Sequence, residues 1–171
     1  MRKLLVVVDM QNDFVDGSLG TEEAEKIVPN VVERVKAAEK AGEDIIFTRD
    51  THGSDYLKTQ EGRRLPVVHC VKDTKGWEII DELKGYAKTV IDKPSFGSTR
   101  LMEAAVRGEY TEIELIGLCT DICVVSNALL LKAALPEADF SVDASCCAGV
   151  TQKSHEAALE TMQMCQIEIK R

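Results

Sequence analysis

Six short apolar runs, most of them separated by stretches of helical periodicity, limit the folds open to this chain more than any other feature. Residues 4–8, 45–48, 88–91, 113–118, 138–142 and 165–169 each read as a strand, and the run 4–8 is too continuously apolar for a strand with one wet face. Between them, Ile27, Val28, Val31, Val32, Val35, Ala38 and Ala41 recur at helical spacing, with Pro29 expected in the first turn and Gly42 as the stop. Ser98 can cap a second helix bearing Leu101, Met102, Ala105 and Val106 and closed by Gly108. A third carries Val124, Val125, Ala128, Leu129, Leu131 and Leu135 before Pro136, and a fourth runs from Thr151 or Ser154 to Met162. Parallel neighbours need crossover connections, so the predicted fold is a three-layer α/β/α arrangement around a mainly parallel six-stranded sheet. At 171 residues, one domain over 1–171 is expected. The polar stretch 49–64 is the longest loop candidate.

In open α/β sheets ligands bind beyond the carboxyl ends of the strands. Asp9, Asp50, Lys93 and Cys123 each follow a different predicted strand, so all four are expected along that one edge. Singly, Asp9, Asp50 and Lys93 read as turn or cap residues, and Cys123 as a small core residue. Together they are a nucleophile, two carboxylates and a cation. Cys123 is placed on the turn into the third helix, where unpaired N–H groups and the positive end of the helix dipole favour a thiolate.

Composition narrows the partners. A net charge of −8 argues against a nucleic acid or an anionic membrane, both of which need clustered Lys and Arg, and leaves a small molecule as the expected partner. No run of 18 apolar residues occurs, and the apolar start ends at Asp9, so neither a membrane span nor a signal peptide is expected and the cytoplasm is the predicted location. Cys70, Cys119, Cys123, Cys146, Cys147 and Cys165 are irregularly spaced and read as reduced thiols. Trp77 reads as a helix-start anchor, and His155, in the last predicted helix, as a surface residue.

Asp9-Met10-Gln11-Asn12-Asp13-Phe14, then Asp92-Lys93-Pro94-Ser95-Phe96, then Gly117-Leu118-Cys119-Thr120-Asp121-Ile122-Cys123 together resemble the isochorismatase-like cysteine hydrolases, whose fold is Rossmann-like. Asp50-Thr51-His52, followed by His69-Cys70-Val71 and Gly76, resembles the nicotinamidase and pyrazinamidase branch. The resemblance implies Cys123 as nucleophile, Asp9 as general acid and base, and Lys93 as the cation that holds Asp9 and favours the thiolate. It also implies a cis peptide between Leu118 and Cys119, with the backbone N–H groups of Cys119 and Cys123 forming an oxyanion hole. A divalent metal, zinc first and iron or manganese as alternatives, would sit on Asp50, His52 and His69, with Glu61 the candidate for a fourth ligand. Asp with two His is a donor set that suits these ions on chemical grounds as well.

The implied reaction is hydrolysis of a small carboxamide, nicotinamide first, through a Cys thioester. The sequence departs from the branch at one point: many members place a Trp shortly before the second metal His, where this chain reads Leu65-Pro66-Val67-Val68-His69. Phe14 and Phe96 are the candidates to hold a flat ring instead. Rival readings are isochorismate cleavage, hydrolysis of a ureido or maleamate-type amide, and a non-enzymatic scaffold whose thiols only pack. Members of the family often self-associate, so a homo-oligomer is an expectation by resemblance alone.

Overall fold

The computed structural model describes residues 2–171. Among these, the chain runs β1 (Lys3–Val8), α1 (Asn12–Val15), α2 (Glu22–Ala41), β2 (Asp44–Asp50), α3 (Gln60–Arg64), α4 (Asp81–Lys84), β3 (Val90–Lys93), α5 (Thr99–Gly108), β4 (Glu112–Leu118), α6 (Val125–Ala134), β5 (Asp139–Ala148), α7 (Gln152–Met164) and β6 (Glu168–Lys170). The strands form one sheet in the order β3-β2-β1-β4-β5-β6, and every neighbouring pair is parallel. The reversal of direction beside β1 is the switch point at which such sheets open a crevice.

Both faces of β1 are covered, which is why its sequence is continuously apolar. Leu4, Val6 and Val8 point into a cluster with Leu101 and Ala105 of α5, Val124 and the α6 residues Ala128 and Leu131, and Leu159 and Met162 of α7. Leu5 and Val7 point the other way, against Ala24, Ile27, Val31, Val35 and Ala38 of α2 and Leu83 of α4. The three layers follow from this alternation.

Several element boundaries differ from expectation. The first long helix begins five residues before Ile27, at Glu22, where the Thr21 hydroxyl accepts from the Ala24 N–H, so Pro29 lies inside the helix rather than in its first turn. Pro29 is exposed, so the carbonyl it leaves without a helical donor faces water. Gly42 does close that helix, at φ +72°. Ser98 caps α5 as expected, but the left-handed residue at its end is Glu109. Gly108 is instead required by space, because a Cβ there would run into the Tyr110 ring. The polar stretch after β2 is not one open loop: it holds a 3-10 turn, Tyr56–Lys58, and the helix α3, which Thr59 caps through the Gly62 N–H.

Gly117, the penultimate residue of β4, adopts φ +117°, and a Cβ there would collide with the Val8 carbonyl oxygen of the neighbouring strand. Only glycine meets both conditions. The close approach brings the exits of β1 and β4 together, and those exits deliver Asp9 and the turn bearing Cys123.

Candidate active site and metal cluster

Asp9, Lys93 and Cys123 come from three different strand ends and meet in the interior. Lys93 Nζ lies 2.6 Å from Asp9 Oδ2, 3.4 Å from Asp50 Oδ1 and 3.3 Å from Cys123 Sγ, and it donates to the Ser95 carbonyl at 3.1 Å. Asp9 and Lys93 are fully buried and Cys123 is 4% exposed. Asp9 leaves β1 at φ +47°, a conformation that Asp tolerates better than most residues. The Thr48 hydroxyl donates to Asp9 Oδ1 at 2.6 Å and accepts from the Asp9 N–H at 3.3 Å. Oδ2 faces the Lys93 ammonium at 2.6 Å and takes no other hydrogen-bond donor.

Electrostatics here differ from the expectation of a ready thiolate. Burial, then the Asp9 carboxylate, push the Cys123 thiol well above its ordinary range, and Lys93 only partly offsets them. Burial likewise pushes Asp9 upward against the pull of Lys93. For Lys93, burial disfavours the charge but Asp9, Cys123 and Asp50 overcome it, so the ammonium is held well above its usual range. Burial and the Asp9 charge thus favour the neutral form of Cys123, while Asp9 favours the charged form of Lys93.

The turn carrying Cys123 is held from three sides. It is a π-type turn, Thr120–Val124, that opens α6, and the Cys119 carbonyl accepts from both the Ile122 and Val124 N–H groups at 3.1 Å. The peptide between Leu118 and Cys119 is cis. Buried Asn127 donates to the Cys123 carbonyl at 2.8 Å and the Phe96 carbonyl at 3.0 Å, while its own oxygen accepts from the Ser98 N–H at 2.9 Å. Thr120 Oγ1 lies 2.8 Å from His155 Nδ1, and Asp121 accepts from the Val150 N–H. His155 is therefore buried and hydrogen-bonded rather than a surface residue, because α7 packs this part of its inner face on the turn. Cys119 sits at the turn's start, its thiol pushed up to about 12 by burial and by Asp121.

A second cluster adjoins the first through Asp50. Ligand atoms of Asp50, His52, Glu61 and His69 all lie within 4.8 Å of one another. Asp50 Oδ2 is 2.9 Å from His52 Nε2 and 3.6 Å from His69 Nε2, while Glu61 Oε1 is 3.7 Å and 3.8 Å from the same two nitrogens. His69 Nδ1 donates to the Val67 carbonyl at 2.7 Å, which orients the ring so that Nε2 faces the cluster. Burial alone would raise Asp50, but hydrogen bonds from the two histidines and the charge of Lys93 hold it well below the usual carboxylate range. Two imidazole nitrogens and two carboxylates converging at this spacing fit a divalent cation of the zinc, iron or manganese type.

Both clusters open into a cavity of about 310 Å³. Its walls are largely apolar, with Leu19, Leu65, Leu118, Ile122 and Val150 among them, and both Phe14 and Phe96 line it. The Phe14 ring centroid is 5.5 Å from that of His69, whereas Phe96 stands 44% exposed at the rim. The lining contains Asp50 and Glu61 but no Lys or Arg. Trp77 is remote from this lining: it closes a 3-10 turn, Lys75–Trp77, under the Arg49 guanidinium at 3.6 Å, and donates to the Thr51 hydroxyl. A larger cleft of about 530 Å³ lies at the opposite end of the strands, where Arg34, Glu114 and Lys170 pair with one another and no cysteine is among the described lining residues.

Comparison with known proteins agrees with this geometry. Nicotinamidase of Schizosaccharomyces pombe is 29% identical over 96% of this chain and 91% of its own length. Nicotinamidase of Saccharomyces cerevisiae is 25% identical over 74% of this chain and 80% of its own. The crystal structure of Pyrococcus horikoshii pyrazinamidase in complex with zinc superposes with a TM-score of 0.87 at 28% identity, covering 100% of this chain and 99% of that one. Residues 3–169 match the Isochorismatase domain, and with its parallel sheet and its thiol at the end of β4 the chain belongs to the isochorismatase family.

Proposed function

We propose that this protein is a metal-assisted cysteine amidohydrolase that converts nicotinamide and water to nicotinate and ammonia. The observation that carries the reading is a single apolar cavity with a thiol, carboxylate and ammonium cluster on one side and a two-His, two-carboxylate cluster on the other. The nicotinamidase relatives and the zinc-bound pyrazinamidase support it. Among the described residues no Lys or Arg lines the cavity, which favours a neutral carboxamide over isochorismate and ureido acids, whose carboxylates would meet no basic side chain in that lining.

In the proposed reaction Asp9 Oδ2 takes the Cys123 proton as sulfur attacks the carboxamide carbon, and the carbonyl π pair moves onto oxygen. The Cys119 and Cys123 N–H groups receive that oxyanion. Collapse expels the amine, which leaves as ammonia with the proton from Asp9, and a thioester remains on Cys123. Asp9 then takes a proton from water, hydroxide adds to the thioester, and collapse releases the acid while Asp9 returns its proton to sulfur. Lys93 keeps Asp9 in place and offsets the buried negative charge throughout. Asp50, His52, His69 and Glu61 would hold the metal, which when bound supplies a Lewis-acidic anchor for a ring nitrogen. Phe14 and Phe96 would flank the ring.

The test is an ammonia-release screen over nicotinamide, pyrazinamide, aliphatic amides and ureido acids, with metal content measured on the same sample. Turnover of nicotinamide that disappears in Cys123→Ala is expected. Wild-type turnover in Cys123→Ala overturns the reading.

A further inference from the structure

The loop that follows β1 carries more than the proposed base. We propose that Gln11 and Asp13 are positioning residues that clamp the two arms of the metal cluster, so that residues 9–13 set the base and the ligands Asp50, His52 and His69 from one short stretch. The proposal rests on the metal reading above.

Gln11 is fully buried and uses its amide as a strand would. Its Oε1 accepts from the Asp50 N–H at 2.8 Å, while Nε2 donates to the Asp50 carbonyl at 2.9 Å and to the Trp77 carbonyl at 2.8 Å. At the end of β2 the neighbouring residue Thr51 donates towards β3, to the Lys93 carbonyl at 2.9 Å, so the Asp50 backbone faces the opposite side. There β1 pairs with β2 only as far as Val7 with Phe47, and no strand is left to satisfy residue 50. The Gln11 amide fills that vacancy. It fixes the backbone from which the Asp50 carboxylate reaches both Lys93 and His52.

Asp13 holds the other arm. Its Oδ2 accepts from the Cys70 N–H at 2.8 Å, at a residue whose φ of +46° no ordinary strand or helix would impose. Cys70 adjoins His69, and its carbonyl accepts from the His52 N–H at 2.9 Å, so the two arms are also tied to each other. The Asp13 carboxylate lies against Gly76, where any Cβ would displace it. Sequence position gives no reason for a glycine there, but this contact does.

The experiment strips the full-length protein of metal with a chelator, titrates it with Zn²⁺ against a chromophoric chelator, and follows backbone amide exchange in parallel. Gln11→Glu keeps the shape but loses both donations, and Asp13→Ala loses the acceptor; each is expected to bind Zn²⁺ about tenfold to a hundredfold more weakly, the usual range for a lost partner behind a metal ligand. Asp13→Asn, which retains an acceptor for the Cys70 N–H, is expected within about threefold of the parent by the same reasoning. The Asp50 amide keeps its acceptor in Gln11→Glu, so it is read in Gln11→Leu, which has none and where it should exchange faster; the Cys70 amide should exchange faster in Asp13→Ala but not in Asp13→Asn. Parental zinc affinity in folded Gln11→Glu and Asp13→Ala, together with parental exchange at Asp50 in Gln11→Leu and at Cys70 in Asp13→Ala, overturns the clamp. If Gln11→Glu does not fold, the Asp13 pair decides: equal zinc affinity in Asp13→Ala and Asp13→Asn overturns it. A parent that takes up no Zn²⁺ while His52→Ala behaves identically overturns the metal reading itself, and amide exchange at Asp50 and Cys70 then judges the clamp alone.

Discussion

The Lys93 ammonium stands 2.6 Å from the Asp9 carboxylate, with both side chains shut off from solvent. Removing one member of a buried ion pair leaves the other charge uncompensated, at about 3–5 kcal/mol. Lys93→Met is therefore expected to lower unfolding stability by roughly that amount and to abolish turnover. Asp9→Asn keeps a polar group opposite the ammonium, so we expect a smaller stability loss, with kcat reduced by about 10²–10⁴-fold as the proton acceptor is lost. Chemical denaturation and steady-state kinetics on the two variants check both. A Lys93→Met protein as stable and as active as the parent contradicts the pairing.

The four candidate ligands are not equivalent. His52 and His69 are buried, whereas the Glu61 side chain is 19% exposed and lies 3.7 Å or more from either histidine nitrogen. Dialysis against a chelator is expected to remove activity, and Zn²⁺ to restore it. His52→Ala should bind no stoichiometric metal, while Glu61→Ala should retain one equivalent with affinity reduced by about tenfold, as for a ligand that water can replace. Metal analysis of the purified variants decides. Equal loss in both assigns Glu61 the same weight as the histidines.

The two phenylalanines of the cavity predict a separation of binding from chemistry. Neither side chain can exchange a proton with the Cys123 thiol, yet both line the same cavity. Phe14→Ala and Phe96→Ala should each raise KM for nicotinamide about threefold to tenfold, in line with an aromatic contact of about 0.5–1.5 kcal/mol, and leave kcat within about twofold. A collapse of kcat with KM unchanged removes them from ring binding.

At the far end of the sheet, Glu114 receives hydrogen bonds from Arg34 at 2.7 Å and from Lys170. Burial alone would raise its carboxyl, but these two cations hold it below its ordinary value of 4.5. A carboxylate with a depressed folded value contributes stability that is fully present above about 4.5 and is lost as pH falls through the folded value. Glu114→Gln is thus expected to lower stability at neutral pH and to flatten its decline in the acid range. Denaturation midpoints between about pH 3 and 7 test this. An unchanged acid limb shows that other carboxylates govern it.

How much of this was legible beforehand depends on whether a feature is local. The strand runs could be read because burial on both faces leaves a continuous apolar signal, and the positions of Asp9, Asp50, Lys93 and Cys123 along one edge followed from strand direction. The start of α2 does not show in the apolar stripe, which begins at Ile27, although Thr21-Glu22-Glu23 carries the capping signal. His155 differs from the surface position expected for a related reason: it shares a buried stripe with Ala158, Leu159 and Met162, a spacing that does mark an inner face. Thr48, Gln11 and Asp13 were not legible as supports. Their partners lie 39 to 66 positions away, and side-chain bonds between such distant positions leave no periodic trace. Asn127 was the exception within reach, a buried amide one helical turn after Cys123 on a face of alanine and leucine.

Because all six strands run the same way, reactive groups gather at one pole of the molecule and paired charges at the other. The two poles answer to different demands. Exchanging Leu65, Phe96 or Val150 at the cavity rim alters what the thiol can see without disturbing the girders beneath. A lineage built on this plan can change its diet by editing loop tips, while the chemistry it inherits stays where it was.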